Sequence, residues 1–338
     1  METIRFCLIG AGRAGMVHAR NIAFNIKNSE LVGIVDNDEE KLDSCGDELG
    51  VRNRFRNVDD ALSWGKFDAV VIVTPTFLHR EIAVKCADAG KHIFCEKPMA
   101  ITVDEAMEMI ESARRNNVKL QIGFMRRFDP PFVRAYELIR DGKFGEIMII
   151  KSVGRGPGLP PPWTYDISRS NGMLGEVNSH DFDSTRWLAG SEYKRVYAEA
   201  VNRKLGELKK EYPDFYDNAV CVFRFKNDVI GSIDGTCPAE YGYDARTEIL
   251  LTKGLIQIGE VSDGALLTCN INGRVEKNAF KSWRNRFREA YVEEMKSFIK
   301  SILNDTEPEV SGFDGLAAVK AVIAANRSIK TGRPVELD

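Results

Sequence analysis

Two α/β layouts follow one another along the 338 residues, and each calls for a different sheet. The first predicts a doubly wound parallel sheet, and the second an α+β domain built on a large, mostly antiparallel open sheet. Three observations carry this prediction. Strand and helix patterns alternate strictly up to Gly123, a glycine-rich turn joins the first strand to the first helix, and strand-like runs then succeed one another with few helices between them. Short β-α-β connections force neighbouring strands to run parallel, with right-handed crossovers.

In order, Ile4-Arg5-Phe6-Cys7-Leu8-Ile9 is an apolar strand that ends in glycines, and Met1–Arg5 reads directly into it. A helix to about Ile26 and a strand over Leu31–Val35 follow, then a polar helix over Asp38–Leu49. Ala69–Val73 is so uniformly apolar that it belongs at the sheet centre, covered on both faces. Phe77–Ala89 predicts a helix stopped by Gly90, and His92–Cys95 the next strand. Thr102-x-x-Glu105 is a capping box that opens a helix to about Asn116, and Val118–Ile122 closes the series. After a helix near Pro131–Arg140, strands are expected at Ile147–Val153, Arg195–Val201, Ala219–Phe225, Val229–Asp234, Thr247–Thr252, Leu255–Gly259 and Leu266–Ile271. Alternation such as Cys221-Val222-Phe223-Arg224-Phe225 suits antiparallel strands with one face against helices. One helix is expected over Gly172–Leu188, and two more, Arg286–Leu303 and Gly315–Lys330, end the chain. The expected domains are residues 1–123 and 124–338.

Composition narrows the function classes. With 47 Lys+Arg against 50 Asp+Glu the net charge is −3, so no basic face for nucleic acid is expected. The longest wholly apolar run is far shorter than the roughly 18 residues of a membrane span, and the N-terminus lacks a signal-peptide layout. Seven scattered cysteines, never in a C-x-x-C pair, argue against a disulfide framework or a zinc knuckle and for a reduced, cytoplasmic protein.

Gly10-Ala11-Gly12-Arg13-Ala14-Gly15 is a complete G-x-G-x-x-G between a strand and a helix, and the second strand ends in Asp36. In this Rossmann context Gly10 permits the tight turn, Gly12 lets the backbone approach a pyrophosphate, and Gly15 lets helix and strand close up. The helix N-terminus favours phosphate. Asp36 is expected to bind the adenosine ribose and to repel a 2′-phosphate, so NAD is expected rather than NADP.

Four further segments resemble one family. They are Thr74-Pro75-Thr76-x-x-His79, Glu96-Lys97-Pro98, Gly123-Phe124-Met125-Arg126-Arg127-Phe128-Asp129, and Asn171 to Asp183 with Glu176-x-x-x-His180 inside it. The chain resembles the oxidoreductases named after glucose–fructose oxidoreductase, inositol dehydrogenase and the rhizopine catabolism protein. Arg286-Phe287-Arg288-Glu289-Ala290-Tyr291 draws the likeness toward inositol 2-dehydrogenases. The resemblance implies that Lys97 and His180 flank the carbon that exchanges hydride with nicotinamide, that Lys97–Pro98 is cis, and that the chain assembles as a homo-oligomer, a tetramer or dimer. It departs from the family at Glu176, where aspartate is usual, and at Thr76, where asparagine is usual.

Elementary chemistry agrees with those roles. Oxidising a secondary alcohol needs a base for the hydroxyl proton, and histidine titrates at about 6.5. A lysine ammonium stabilises the developing alkoxide. On a continuous helix, Glu176, His180 and Asp183 share one face, where Glu176 either orients the imidazole or binds a substrate hydroxyl. Thr74, Pro75, His79, Glu96 and Arg127 are further expected cofactor contacts, and His79 equally suits a helix-capping role. Arg127, Arg155, Trp163 and Asp183 are expected around the substrate, with the Gly/Pro-rich loop Gly154–Trp163 as a wall in which Trp163 offers an apolar face and Arg155 or Asp166 binds hydroxyls. No metal is expected. The expected activity is NAD-dependent oxidation of a cyclic polyol or sugar, myo-inositol first. Its rivals are turnover of another sugar derivative, and an NAD-binding regulator without turnover.

Overall fold

Ala69, Val70, Val71 and Ile72 have no solvent access at all, which places this strand at the centre of the first sheet. The structure is a computed structural model and describes residues 2–264, 266–269 and 271–337. Two compact units divide the chain: Met1–Phe128 with Glu289–Val319, and Asp129–Arg288 with Lys320–Asp338. Each unit takes two stretches of chain, where the sequence reading draws a single cut after Gly123. Among the described residues no helix is long and apolar enough to cross a membrane.

In the first unit, β1 (Ile4–Ile9), α1 (Arg13–Arg20), β2 (Ser29–Val35) and α2 (Glu39–Leu49) follow in turn. Then come β3 (Asn53–Phe55), α3 (Val58–Trp64), β4 (Ala69–Ile72) and α4 (His79–Asp88). The alternation closes with β5 (His92–Glu96), α5 (Val103–Arg115) and β6 (Leu120–Gly123). The strands are parallel in the order β3-β2-β1-β4-β5-β6, a doubly wound sheet whose order reverses between β1 and β4. Ligands bind outside the carboxyl ends of strands at such a reversal.

Local signals account for most boundaries. Asp38 caps α2 by accepting the Lys41 amide, and Thr102 with Glu105 forms both bonds of the capping box on α5. The first helix stops at Arg20, and a π-helical turn over Asn21–Asn25 carries the chain on. Within this alternating run the unforeseen elements are β3 and α3. The strand is only three residues long at the sheet edge, too short for an alternating pattern. The helix does carry a signal, since Asn57 accepts the Asp60 amide and the helix ends at left-handed Gly65.

The second unit contains α6 (Pro130–Arg140), β7 (Ile147–Arg155), α7 (Ile167–Ser170), α8 (Gly172–Glu176), α9 (Ser179–Ala189), β8 (Tyr193–Val201) and β9 (Asn218–Phe225). It continues with β10 (Ile230–Thr236), β11 (Asp244–Leu251), β12 (Gly254–Ile258), β13 (Thr268–Cys269), β14 (Val275–Glu276) and α10 (Trp283–Arg286). Three elements close the chain: α11 (Arg288–Leu303), which lies mainly in the first unit, α12 (Gly312–Thr331), shared between the units, and β15 (Val335–Glu336). The main sheet has the order β12-β11-β7-β10-β9-β8-β15. Only β7 and β10 pair in parallel, and every other neighbour is antiparallel.

Two expectations need correction. The strand over Leu266–Ile271 is reduced to Thr268–Cys269, which among the described residues pairs only with β14, and Asn270 lies outside them. The helix over Gly172–Leu188 is two helices, interrupted at Val177–Asn178. Asn178 is the reason, because its side-chain amide donates to the Gly154 carbonyl at 3.1 Å and to Asp181 at 2.9 Å. A side chain that bonds locally in this way competes with the helical ladder. The single-face argument for Glu176, His180 and Asp183 therefore fails at Glu176, which ends α8, while His180 and Asp183 remain one turn apart on α9.

One face of the main sheet meets α9, where Asp181 accepts from Ser152 Oγ at 2.6 Å. Its opposite face carries Val220, Val222, Ile230, Leu250 and Leu255, all exposed. Strand register aligns Arg224, Ile230, Ile149, Leu250 and Leu255 in one row across five strands.

Candidate active site

The glycine turn in the first unit is shaped as the motif requires. Gly10 has φ 101°, a left-handed conformation that favours glycine. A Cβ there would lie 2.6 Å from the Val73 carbonyl oxygen, and one on Gly15 would strike the Gly10 carbonyl. At Gly12, by contrast, an added Cβ meets nothing within 4 Å. The backbone at the start of α1 thus faces open space, the room a pyrophosphate needs beside a helix N-terminus. Asp36, just past β2, accepts the Ala11 amide at 2.7 Å and the Asp38 amide at 2.9 Å. Its carboxylate is oriented in advance and keeps lone pairs for ribose hydroxyls. Arg13 is exposed and Ala14 half-buried on the first turn of α1.

Beyond β4, Thr74 and Pro75 are half-buried and lead into a short 3-10 turn before α4. His79 opens α4 and is buried. Its Nδ1 lies 2.8 Å from the Pro98 carbonyl oxygen and its Nε2 2.8 Å from that of Thr74. The ring therefore clasps the segments that follow β4 and β5. Burial lowers its pKa, while both carbonyls work against that by favouring the protonated ring. These bonds support a packing role for His79, whereas the capping part of that reading is not seen, since α4 has no side-chain cap.

Glu96 ends β5 and is buried. Its Oε1 lies 2.8 Å from His18 Nε2, and its Oε2 accepts the Lys97 amide at 3.1 Å. Lys97 is half-buried, and the Lys97–Pro98 bond is cis. Arg127 donates to Asp314 at 2.9 Å within the same unit, and Arg126 is wholly buried.

In the second unit, α9 is an unusual helix. Ser179, His180, Asp181, Asp183, Ser184 and Thr185 are all buried, although polar residues normally face water. Some of this is structural, since Asp181 bonds Ser152 and Asn178 and so anchors α9 on β7. His180 stands in the first turn, 6% exposed. Glu176, half-buried at the end of α8, lines a small, mostly apolar cleft with Pro160, Thr164, Met173, Phe215 and Cys237. The Gly/Pro-rich loop thus walls Glu176, and Trp163 adjoins Thr164 in a short turn over Pro162–Tyr165.

Arg155 is placed elsewhere. Successive strand residues point to opposite faces, and Ser152 meets α9, so Arg155 emerges on the far side of β7. There its guanidinium pairs with Asp234 and donates to the Tyr241 hydroxyl at 3.1 Å. Sequence reasoning passed over Glu294 altogether. A signal existed, because Glu294 falls at helical spacing between Tyr291 and Phe298, on the apolar stripe of α11 where a charge has no ordinary place.

Comparison with known proteins agrees with this geometry. Residues 4–124 match the family described as "Oxidoreductase family, NAD-binding Rossmann fold", and residues 132–257 match the "GFO/IDH/MocA C-terminal domain". The chain is 33% identical to myo-inositol 2-dehydrogenase of Thermotoga maritima, over 99% of both proteins. It is 31% identical to scyllo-inositol 2-dehydrogenase (NAD(+)) of Bacillus subtilis, over 99% of this chain and 96% of that protein. Among solved structures, scyllo-inositol dehydrogenase of Lactobacillus casei, crystallised with NAD(H) and scyllo-inositol, superposes with a TM-score of 0.91 at 29% identity, covering 99% of each chain. With both sheets, the nucleotide turn and this similarity along nearly its whole length, the chain belongs to the GFO/IDH/MocA family and is an NAD-dependent oxidoreductase.

Proposed function

We propose that the protein oxidises a secondary hydroxyl of a cyclic polyol or sugar, with myo-inositol the first substrate to test. The observation that carries this reading is the presence of both Glu96-Lys97-Pro98 and Glu176-x-x-x-His180 in a chain similar, over 99% of its length, to a myo-inositol 2-dehydrogenase. In this reading residues 1–123 hold the dinucleotide, and residues 124–338 hold the substrate and make the subunit contacts.

Bound NAD supplies the hydride acceptor. The chain's own residues manage the proton and the substrate. Lys97 and His180 flank the reacting carbon, where His180 takes the hydroxyl proton and the Lys97 ammonium stabilises the developing alkoxide. Glu176 binds a substrate hydroxyl or orients the imidazole. Its extra methylene, relative to the family's usual aspartate, shifts the carboxylate by about 1 Å, enough to change which hydroxyl is held. Asp183 and Trp163 complete the substrate wall.

The exposed row Ile230, Leu250 and Leu255 is the surface proposed for a second copy of the chain, because contiguous apolar patches on soluble proteins mark contact sites. A light-scattering mass equal to the single-chain 37.9 kDa would remove the oligomer. For the activity, inositols and sugars are screened with NAD and NADP in parallel by nicotinamide absorbance. Turnover of an inositol with NAD supports the reading. Measurable NAD binding without turnover across the panel overturns it.

A further inference from the structure

Behind the Glu96-Lys97-Pro98 turn, the first unit encloses three ionisable side chains. His18 on α1, Glu96 on β5 and Glu294 on α11 are 0%, 6% and 0% exposed. One nitrogen or oxygen from each lies within 4.8 Å of the other two. Glu96 has partners in His18 and the Lys97 amide. Among the described residues, neither carboxyl oxygen of Glu294 has a hydrogen-bond partner.

A bare carboxylate in a closed interior is strongly disfavoured, so something neutralises Glu294. A shared cation and a proton are the two chemistries available. The spacing between His18 and Glu96 distinguishes them. Ligands of a tetrahedral zinc, each at roughly 2.0–2.1 Å from the metal, stand about 3.3 Å from one another. The observed 2.8 Å is instead the length of a direct N–H···O bond. A protonated carboxyl gains a donor, and the Glu96 carboxylate nearby is an acceptor.

We propose that Glu294 is a positioning residue for Lys97: held neutral within 4.8 Å of Glu96, it turns its O–H dipole toward the Glu96 carboxylate and steadies Glu96 between the His18 ring and the Lys97 amide. Burial and the charge of Glu96 both raise the Glu294 pKa well above the usual carboxylate range. Burial also pushes Glu96 upward, but the bond and charge of His18 together with the Lys97 ammonium outweigh it and lower its pKa. Both directions favour the proton on Glu294. Besides these groups, Cys95 on β5 and Tyr291 one turn earlier on α11 border the cluster. Gln121 on β6 donates to the Glu294 backbone carbonyl at 2.9 Å. Because Glu96 immediately precedes Lys97, its orientation sets the direction in which the lysine leaves the strand. The inference rests on the role proposed above for Lys97.

The test compares the full-length wild type with Glu294→Gln, neutral and of the same shape, and Glu294→Met, apolar and of similar size. Infrared spectra at neutral pH are expected to show a protonated-carboxyl band in the wild type that both variants lack. If neither variant loses such a band, the proton is not there and the proposal fails. Lysine NMR after ¹³C-methylation, with the signal assigned through Lys97→Arg, is expected to give one Lys97 titration for wild type and Glu294→Gln. In Glu294→Met the midpoint is expected to move by about half a pH unit or more, and an unmoved midpoint removes the positioning role. Neither readout needs a substrate, so each stands apart from the polyol assignment. With a turnover substrate, Glu294→Met is expected to lower kcat about tenfold at unchanged dinucleotide KM, and Glu294→Gln to recover it to within about threefold. Equal losses in both variants, or near-stoichiometric zinc in the purified wild type, would overturn the proposal. Should Glu294→Met not fold, the infrared comparison with Glu294→Gln still decides the proton.

Discussion

Asp36 accepts the Ala11 amide at 2.7 Å, so the residue proposed to bind the adenosine ribose also braces the glycine turn. One substitution then removes two effects. Asp36→Ala is expected to lower kcat/KM for NAD by about tenfold to a hundredfold, from a lost charge-assisted bond and a loosened turn. NADP turnover is expected to fall less, because repulsion of its 2′-phosphate disappears. Steady-state kinetics with both dinucleotides check this, and an unchanged NAD:NADP ratio would contradict the role given to Asp36.

Lys97 directly follows β5, the strand next to β4 on the side away from the reversal in strand order. Lys97→Ala is expected to lower kcat by about a thousandfold through loss of alkoxide stabilisation. Dinucleotide affinity, measured by calorimetry, is expected to stay within about threefold, since the turn at Gly10–Gly15 is untouched. Normal turnover in this variant would end the assignment.

Glu176 lines its cleft together with Met173 and Phe215. Glu176→Asp restores the length usual in the family and is expected to shift the preference among inositol isomers by about tenfold in kcat/KM, near the worth of one hydrogen bond. Relative kcat/KM values across the isomers report it. A uniform loss on every isomer would point to a general role at the imidazole rather than to substrate choice.

Glu294 also makes a prediction about stability. Its folded pKa is raised above the unfolded value of about 4.3. Stability from its bound proton is therefore complete below that value and is lost as pH rises toward the folded pKa. Over that window the wild type should lose about 1.4 kcal/mol per pH unit relative to Glu294→Gln, which carries no such proton. Denaturant unfolding of both proteins between about pH 5 and about pH 7 measures the difference. A gap that stays constant over that range would contradict a neutral, buried Glu294.

The parallel sheet was legible because its signals are local. Ala69–Ile72 needs no partner to read as a central strand, and Thr102 with Glu105 caps its helix using residues three apart. Where expectation and structure part, a distant residue intervenes. The helix over Gly172–Leu188 breaks where Asn178 bonds the Gly154 carbonyl, and Arg155, set by strand alternation on the face away from α9, pairs with Asp234 on the neighbouring strand. The His79 ring bonds carbonyls at Thr74 and Pro98, 5 and 19 residues away, and no local pattern signals that clasp.

By itself, the sequence determined the nucleotide turn and pointed to NAD, since Gly10 and Gly15 act through backbone geometry that neighbouring residues impose and the Asp36 carboxylate stands just past the second strand. Only the tertiary structure decided what surrounds Glu96. The neighbours His18 and Glu294 come from opposite ends of the chain, and the protonation of a carboxyl follows from which charges share its interior and how far water is excluded.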